Sequence, residues 1–111
     1  FGLGFPEEYG GVSADYFYRI ASAEEFAQAG VGGLSASLFS HTIGAPPIAA
    51  VGSEELKRRV LPGILSGDKI SALAITEPSG GSDVANLKTT ARREGDHYVV
   101  NGSKMFITSG M

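Results

Sequence analysis

The stretch ALAITEPSGGSDVANLKTTARREGDHYVVNGSKMFITSG, from Ala72 to Gly110, decides how this chain is interpreted. Its opening residues, Ala72 to Ile75, are apolar and predict a short buried strand. From Leu87 to Arg93, apolar and polar residues alternate, which is the period of a half-buried strand. The stretch therefore predicts β-structure on both sides of the glycine-rich loop Thr76 to Asp83.

Turn residues divide the rest of this stretch into an antiparallel meander. Glu94-Gly95-Asp96 predicts a turn, and His97 to Val100 predicts the next strand. Asn101-Gly102 is a strong hairpin signal, so Ser103 to Thr108 is predicted to be the partner strand. A meander of three strands alone would be only marginally stable.

The first two-thirds of the chain is predicted to be helical. Ser13 and Ser53 are candidate N-caps. Gly44 and Pro46-Pro47 are expected to break the helical pattern, and a short apolar turn is expected to lead to Gly52. Pro62 and Gly63 are expected to loosen the chain after the last helix. Helices are predicted over residues 14–29, 33–43 and 54–60. Helices followed by antiparallel strands predict an α+β arrangement, with one domain at residues 1–70 and a second at 71–111.

Composition excludes several kinds of function. The 111 residues contain 9 Lys+Arg against 12 Asp+Glu, so the net charge is −3, which is unlike a phosphate-tracking nucleic-acid binder. There is no cysteine, and hence no disulfide framework, zinc-thiolate site or thiol nucleophile. No metal site is predicted. Glycine accounts for 16 residues, about double its usual share of roughly 7%.

No charged residue occurs between Phe26 and Ser53. A membrane span needs about 20 mostly apolar residues, but this run contains serines, Gln28, His41 and Pro46-Pro47. It is better explained by helices buried in protein, whose cover comes from more chain or from other subunits. A small domain with one poorly solvated face is the alternative.

The loop Thr76 to Asp83 has the composition of a ligand-binding loop. Gly80-Gly81 lets a bound group approach the backbone, and successive N–H groups can form a nest for an anion. Thr76 and Ser82 add hydroxyls, whereas Glu77 and Asp83 are expected to brace the loop by accepting backbone hydrogen bonds. The loop lacks the G-x-x-x-x-G-K-[ST] pattern of a P-loop, so an ordinary strand exit remains an alternative.

Phe106 and Thr108 form a second candidate element. Residues two apart on a strand share a face, so the pair would suit a flat heteroaromatic ring. Core packing plus surface exposure is the alternative.

Together these elements resemble the acyl-CoA dehydrogenase family of flavoproteins. The resemblance rests on the Thr-Glu-Pro…Gly-Ser-Asp loop, the predicted Asn-Gly hairpin and the predicted Ile-Thr strand at the family's spacing. Upstream, GLGFPEEYGG, AEEFA and GSEELKRRVLPGILSGDKISA resemble it too, so the match covers essentially the whole chain. It implies the second half of an N-terminal helical domain followed by the start of an antiparallel middle domain, as an internal fragment.

The resemblance implies FAD as cofactor. Thr76 would bond the flavin ring, Ser82 would lie near the pyrophosphate and the thioester, and Thr108 would contact the flavin or its linker. Many family members have Trp where this chain has Phe106, which keeps a ring face but lacks the indole N–H. The implied cofactor positions are Leu73, Ala74, Ile75, Thr76, Gly81, Ser82, Phe106, Ile107 and Thr108.

The family reaction removes an α-proton from an acyl-CoA thioester and passes the β-hydride to flavin N5. The glutamate base lies outside this chain, so no catalytic residue is predicted here, and the piece alone is expected to be inactive. Ser35 and Phe39 match the helix that closes the acyl pocket, where Phe39 would favour a shorter or unusually shaped acyl group; plain helix packing is the alternative for both. Ser82 is the third substrate-binding candidate. His41 is expected to be structural.

Two other functions remain open at this point: an acyl-CoA oxidase-like relative, against which the short loops around the hairpin argue, and a catalytically silent flavin-fold scaffold. The resemblance implies an electron-transferring flavoprotein as electron acceptor and a homotetramer or homodimer. It implies a cytoplasmic location in a bacterium, or the mitochondrial matrix in a eukaryote.

Overall fold

The computed structural model describes residues 1–40 and 42–110 of the chain. They form two compact units, residues 1–72 and 73–111, whose division lies two residues after the predicted domain boundary. The first unit is helical and the second carries the strands. The α+β class predicted from the sequence is therefore confirmed.

Helix α1 covers Tyr16–Gln28. It begins after Asp15, whose side-chain oxygen accepts a hydrogen bond of 2.9 Å from the backbone N–H of Phe17. The assignment of Ser13 as N-cap was wrong. A carboxylate beside the first turn satisfies a free N–H and also faces the positive end of the helix dipole, so Asp15 caps well here.

Helix α2 covers Gly32–Ser40, and a turn at residues 42–44 leads into helix α3, Ala45–Val51. The break predicted at Gly44 and Pro46-Pro47 is observed as this turn. The apolar turn predicted to lead to Gly52 was wrong, because Ala45–Val51 is a helix with the two prolines in its first turn. Proline is tolerated in a first turn, where its missing N–H would have had no helical acceptor. His41 lies outside the described residues.

Helix α4 covers Glu54–Ser66 and starts at Ser53, whose hydroxyl accepts a hydrogen bond of 3.2 Å from the N–H of Leu56. The cap was predicted correctly, but the helix end near residue 60 was wrong, since the helix continues through Pro62. An interior proline costs about 3 kcal/mol. Burial of Leu61, Ile64 and Leu65 on the same helix offsets it at about 1.5–3 kcal/mol each.

The core of the first unit lies between α3, α4 and the N-terminal loop. Tyr9 is 3% exposed, and its hydroxyl donates a hydrogen bond of 2.7 Å to Glu54 at the start of α4. This bond fastens the loop to the helix. The buried residues of this core are Phe5, Tyr9, Ala45, Leu61, Ile64 and Leu65.

The second unit is built on two antiparallel strands, β1 at Thr90–Glu94 and β2 at His97–Asn101. Five pairs form the ladder, from Thr90 opposite Asn101 to Glu94 opposite His97. The turn between the strands contains Gly95 at φ 66°, as the Glu94-Gly95-Asp96 signal predicted. Strand β1 begins later than the predicted Leu87.

The predicted strands at 72–75 and 103–108, and the hairpin at Asn101-Gly102, were wrong: these residues form no strand. After β2 the chain passes tightly over Thr89, since a Cβ on Gly102 would stand 2.1 Å from the Thr89 hydroxyl oxygen. It then runs to the glycine-rich loop, where the N–H of Met105 donates to the Thr76 carbonyl at 2.9 Å. The glycine thus serves a close approach and not a two-residue turn.

Over the described residues, 1–40 and 42–110, no helix combines the length and apolarity that crossing a membrane requires.

Candidate functional site

The loop after residue 75 closes on itself. The N–H of Glu77 donates to the carbonyl of Gly80 at 2.9 Å, and the N–H of Gly80 donates back to Glu77 at 3.0 Å. This pair of bonds folds Pro78 and Ser79 into a tight turn. The loop therefore has a defined backbone shape on which Gly81 and Ser82 follow.

Glu77 braces this loop, as the sequence predicted. Its side chain is buried, and its two carboxylate oxygens accept hydrogen bonds from the backbone N–H groups of Lys88 at 2.6 Å and Thr89 at 2.9 Å. The ammonium of Lys104 donates to the same carboxylate at 2.9 Å. One side chain thus joins the loop to the residues before β1 and to the residues after β2.

Every neighbour of this carboxylate favours its charged form. The hydroxyl of Thr89, the ammonium of Lys104 and the backbone N–H groups of Lys88 and Thr89 hold the pKa of Glu77 far below its ordinary value, against the opposing effect of burial. The anion is paired with Lys104 and accepts two backbone hydrogen bonds, so the side chain acts as a brace within the loop.

Asp83 does not brace the loop, so this expectation was wrong. It precedes a short turn of 3₁₀ helix, Val84–Asn86, but its side chain makes no cap hydrogen bond to that turn. Its side chain is exposed. A carboxylate that water solvates gains little from a backbone donor.

Three hydroxyls predicted to face a cofactor are available to a ligand. In the described part of the chain, the hydroxyls of Thr76, Ser82 and Thr108 make no hydrogen bond. Gly81 lies so close that a Cβ there would stand 3.1 Å from the Thr76 hydroxyl oxygen. The bare backbone at Gly81 leaves room for a bound group beside that hydroxyl.

The segment after Met105 is irregular. Phe106 has φ 57° and Ser109 has φ 61°, a region that residues with a side chain rarely occupy. The prediction that Phe106 and Thr108 share a strand face was therefore wrong, although both are exposed. Phe106 is 87% exposed, which leaves its ring free to contact a ligand or another part of the protein.

The remaining cofactor candidates fall in the same unit. Leu73 and Ala74 are exposed, whereas Ile75 and Ile107 are half-buried. No role was predicted for Lys104, whose ammonium donates to the Ile75 carbonyl and to the Glu77 carboxylate. A signal was present: a lone lysine within an otherwise uncharged segment often compensates a buried acid, and Glu77 is the acid in question.

The first unit contains a separate, mostly apolar cavity of about 480 Å³. Phe39 lines it, and its ring meets that of Phe26 edge to face at a centroid distance of 5.4 Å. Ser35, the other substrate candidate on α2, is half-buried and is not among the lining residues. The cavity's volume falls in the range of small-molecule sites.

Arg19 is the charged residue in the described wall of this cavity. Its guanidinium donates to the Leu3 carbonyl at 3.0 and 3.2 Å and lies 5.6 Å from the centroid of the Phe5 ring. These contacts hold the N-terminal loop against α1. Arg19 is therefore engaged within the fold, which leaves the cavity apolar in character.

Within residues 1–40 and 42–110, no group of three or more His, Cys, Asp or Glu side chains is placed to hold a metal ion.

Two family models match the chain. The N-terminal domain of acyl-CoA dehydrogenase matches residues 1–68, and the middle domain of acyl-CoA dehydrogenase matches residues 72–111. Together they cover nearly every residue. The second match contains the loop, both strands and the irregular segment described above.

Individual relatives agree with these matches. A Bacillus subtilis protein named probable acyl-CoA dehydrogenase is 46% identical over 97% of this chain and 18% of its own length. A Clostridium sporogenes protein named 3-(aryl)acrylate reductase is 43% identical over 97% of this chain and 29% of its own length. The present chain thus spans less than a third of either relative.

A solved structure supports the fold directly. The crystal structure of acyl-CoA dehydrogenase complexed with FAD from Bacillus anthracis superposes with a TM-score of 0.78 at 44% identity. The match covers 92% of this chain and 18% of that one. From the two domain models, these relatives and the shared fold, it follows that the chain belongs to the acyl-CoA dehydrogenase family.

Proposed function

We propose that the second unit contributes part of an FAD site. The observation that carries the proposal is the set of three hydroxyls without protein partners, on Thr76, Ser82 and Thr108, beside the bare backbone of Gly81. A flavin ring and its pyrophosphate offer acceptors and donors that suit such groups. The structure of a relative that contains FAD supports this choice of cofactor.

The proposed cofactor contacts are both polar and apolar. Thr76 would bond the polar edge of the flavin, Ser82 would lie near the pyrophosphate and the thioester, and Thr108 would contact the ring or its linker. Phe106 would offer a ring face and no hydrogen bond. Leu73, Ala74, Ile75, Gly81 and Ile107 complete the proposed set.

We propose that the whole protein dehydrogenates an acyl-CoA thioester between its α- and β-carbons. When bound, the flavin supplies an acceptor for the β-hydride. This chain's residues bind and orient: the loop holds the cofactor, and Ser82 holds the thioester. The α-proton goes to a glutamate outside this chain, since Glu77 is already bonded to Lys104 and two backbone N–H groups.

We propose that the cavity in the first unit receives part of the acyl group. Its mostly apolar wall suits a hydrocarbon chain, and Phe39 takes up space within it. A bulky ring in such a wall favours short or unusually shaped acyl groups. Ser35 remains a weaker candidate because it lies outside that wall.

One relative is named 3-(aryl)acrylate reductase, so the experiment tests both the direction of the reaction and the acyl group. The full-length protein should purify yellow, and its flavin absorbance should bleach on addition of a saturated acyl-CoA without oxygen. A colourless protein that takes up no added FAD would disprove the cofactor assignment. Yellow protein that no acyl-CoA bleaches would point to a reductase or a silent scaffold.

The same assay tests the acyl pocket with a series of acyl-CoA chain lengths. Phe39→Ala should move the preferred substrate toward longer chains, because it enlarges the cavity. Phe17→Ala is the matched control, since Phe17 is 76% exposed on α1 and is not among the lining residues. An unchanged preference in Phe39→Ala would place the acyl group elsewhere.

The second substrate of the cycle decides between a dehydrogenase and an oxidase. We propose an electron-transferring flavoprotein as acceptor and a homotetramer or homodimer as the assembly. Rapid reoxidation of the bleached protein by air would favour the oxidase-like alternative. A cytoplasmic location in a bacterium, or the mitochondrial matrix in a eukaryote, is proposed on the same grounds.

A further inference from the structure

Three hydrogen bonds join two distant stretches of the second unit. The ammonium of Lys104 donates to the carbonyl of Ile75 at 3.0 Å and to the carboxylate of Glu77 at 2.9 Å. The N–H of the next residue, Met105, donates to the Thr76 carbonyl at 2.9 Å. Residues 75–77 are thus bonded in succession to residues 104–105, although they are nearly 30 positions apart in the chain.

The charged pair in this junction is well shielded from water. The Glu77 side chain is 3% exposed and that of Lys104 is 22% exposed. Among the described residues, Lys104 is the one cation within ion-pair distance of this carboxylate. A buried charge that loses its partner is strongly destabilising. Removing either side chain should therefore change the backbone arrangement of the junction, meaning the bonded residues 75–77 and 104–105.

The junction adjoins both proposed cofactor-binding stretches in the chain. Thr76 is inside it, and Phe106 to Thr108 follow it directly. None of the three hydroxyl groups, on Thr76, Ser82 and Thr108, is held by a hydrogen bond of its own in the described chain, so their spacing depends on the backbone that carries them. Phe106 also keeps its unfavourable φ of 57°, which persists only where the surroundings fix the backbone.

We propose that Glu77 and Lys104 are positioning residues for the cofactor: their buried ion pair fixes the distance between the loop carrying Thr76 and the segment carrying Thr108, so that both stretches contact one flavin together. The inference rests on the proposed function. The role goes beyond stabilising the fold, because the two side chains would set the positions of the neighbouring residues that contact the cofactor.

The test uses the full-length protein with four variants. Lys104→Met removes the charge and keeps the length, Lys104→Arg keeps the charge, and Glu77→Gln keeps the shape. Lys69→Met is the matched control, because Lys69 also donates to a carbonyl, that of Arg59, but lies in the first unit. For each variant we would measure the Kd for FAD, the visible circular dichroism of the bound flavin and the thermal midpoint.

Lys104→Met and Glu77→Gln should each weaken FAD binding by tenfold or more and change the flavin circular dichroism. Lys104→Arg should restore FAD binding to within about threefold of the wild type, and Lys69→Met should leave the flavin signal unaltered. If Lys104→Met does not fold, Glu77→Gln and Lys104→Arg still decide the matter.

Two results would overturn the inference in distinguishable ways. A lower thermal midpoint in Lys104→Met or Glu77→Gln, with unchanged FAD affinity and flavin circular dichroism, would make the pair purely structural while leaving the FAD assignment intact. A wild-type protein that binds no FAD would overturn the proposed function and, with it, the positioning role.

Discussion

At the level of single residues, the hydroxyls of Thr76 and Ser82 are proposed to bind the cofactor. Thr76→Val keeps the shape of the side chain and removes its hydroxyl, and Ser82→Ala does the same at the second position. Each loses one hydrogen bond to the cofactor, worth about 0.5–1.5 kcal/mol, so FAD affinity should fall by about 2- to 12-fold. Equilibrium titration of the apoprotein with FAD measures this change.

Thr90→Val is the control for that titration. Thr90 opens β1 and is not a proposed cofactor residue, so its variant should bind FAD as the wild type does. Unchanged affinity in both Thr76→Val and Ser82→Ala would show that other side chains contact the flavin.

Glu77 should make stability depend on acidity. Its pKa is lowered in the folded protein, because the Thr89 hydroxyl, the Lys104 ammonium and two backbone N–H groups favour the anion. Its contribution is therefore fully present above the unfolded-state value of about 4.3 and is lost as the pH falls below it. The stability difference between wild type and Glu77→Gln should be largest at neutral pH and should shrink between about pH 5 and pH 3.

Urea unfolding at saturating FAD over this pH range would measure the difference. Glu25→Gln is the matched control, since it makes the same carboxylate-to-amide change at an exposed position of α1. A Glu77→Gln deficit that stays constant from pH 7 to pH 3 would contradict the assignment of a charged, paired carboxylate.

At the level of elements, the two serines that precede helices differ in role. Ser53 caps α4, whereas α1 is capped by Asp15 and not by Ser13. Ser53→Ala should therefore lower the unfolding free energy by about 1 kcal/mol, because the N–H of Leu56 loses its acceptor. Ser13→Ala should change it little. Equal effects in denaturant titrations of the two variants would contradict this reading of the caps.

The sequence predicted an element correctly wherever a local signal and the tertiary structure favour the same conformation. The Ser53 cap, the Gly95 turn and the start of β2 follow from residues that act on their immediate neighbours. Pro62 could not be placed correctly, since only the burial of Leu61 and Ile64 keeps α4 going through it. The hairpin predicted at Asn101-Gly102 was wrong because Gly102 packs closely against Thr89, a contact that no local pattern encodes.

In the candidate site, too, the contacts between residues close in sequence could be predicted, and those between distant residues could not. Glu77 was read correctly because a carboxylate in a glycine-rich loop finds backbone donors close by. Lys104 was missed, since its partners Ile75 and Glu77 are close in space but distant in sequence. Phe106 departs from the expected strand because the bonds made by Lys104 and Met105 set the backbone before it.

At the scale of the whole chain, the charge-free run between Phe26 and Ser53 leaves apolar side chains exposed. Leu34 is 55%, Phe39 47% and Val51 86% exposed. The cover expected for these helices is thus not provided by the described residues.

Expressed alone, the 111-residue chain should bind a hydrophobic dye strongly and unfold without a sharp transition. Exposed apolar faces attract such dyes, and a small core gives little cooperativity. Dye fluorescence and calorimetry measure the two properties, with the full-length protein as control. A cooperative transition with no dye binding would show that the chain is self-sufficient.

The close approach at Gly102 also constrains how this sequence can evolve. Any substitution that replaces Gly102 with another amino acid introduces a Cβ, which here would stand 2.1 Å from the Thr89 hydroxyl oxygen. Truncating Thr89 gives no escape, because its Cα alone would be 2.8 Å away. Among the described residues, Gly32 and Gly33 have nothing within 4 Å of a Cβ. Compensation through the neighbouring side chain therefore cannot release Gly102, whose constraint comes from the backbone as well.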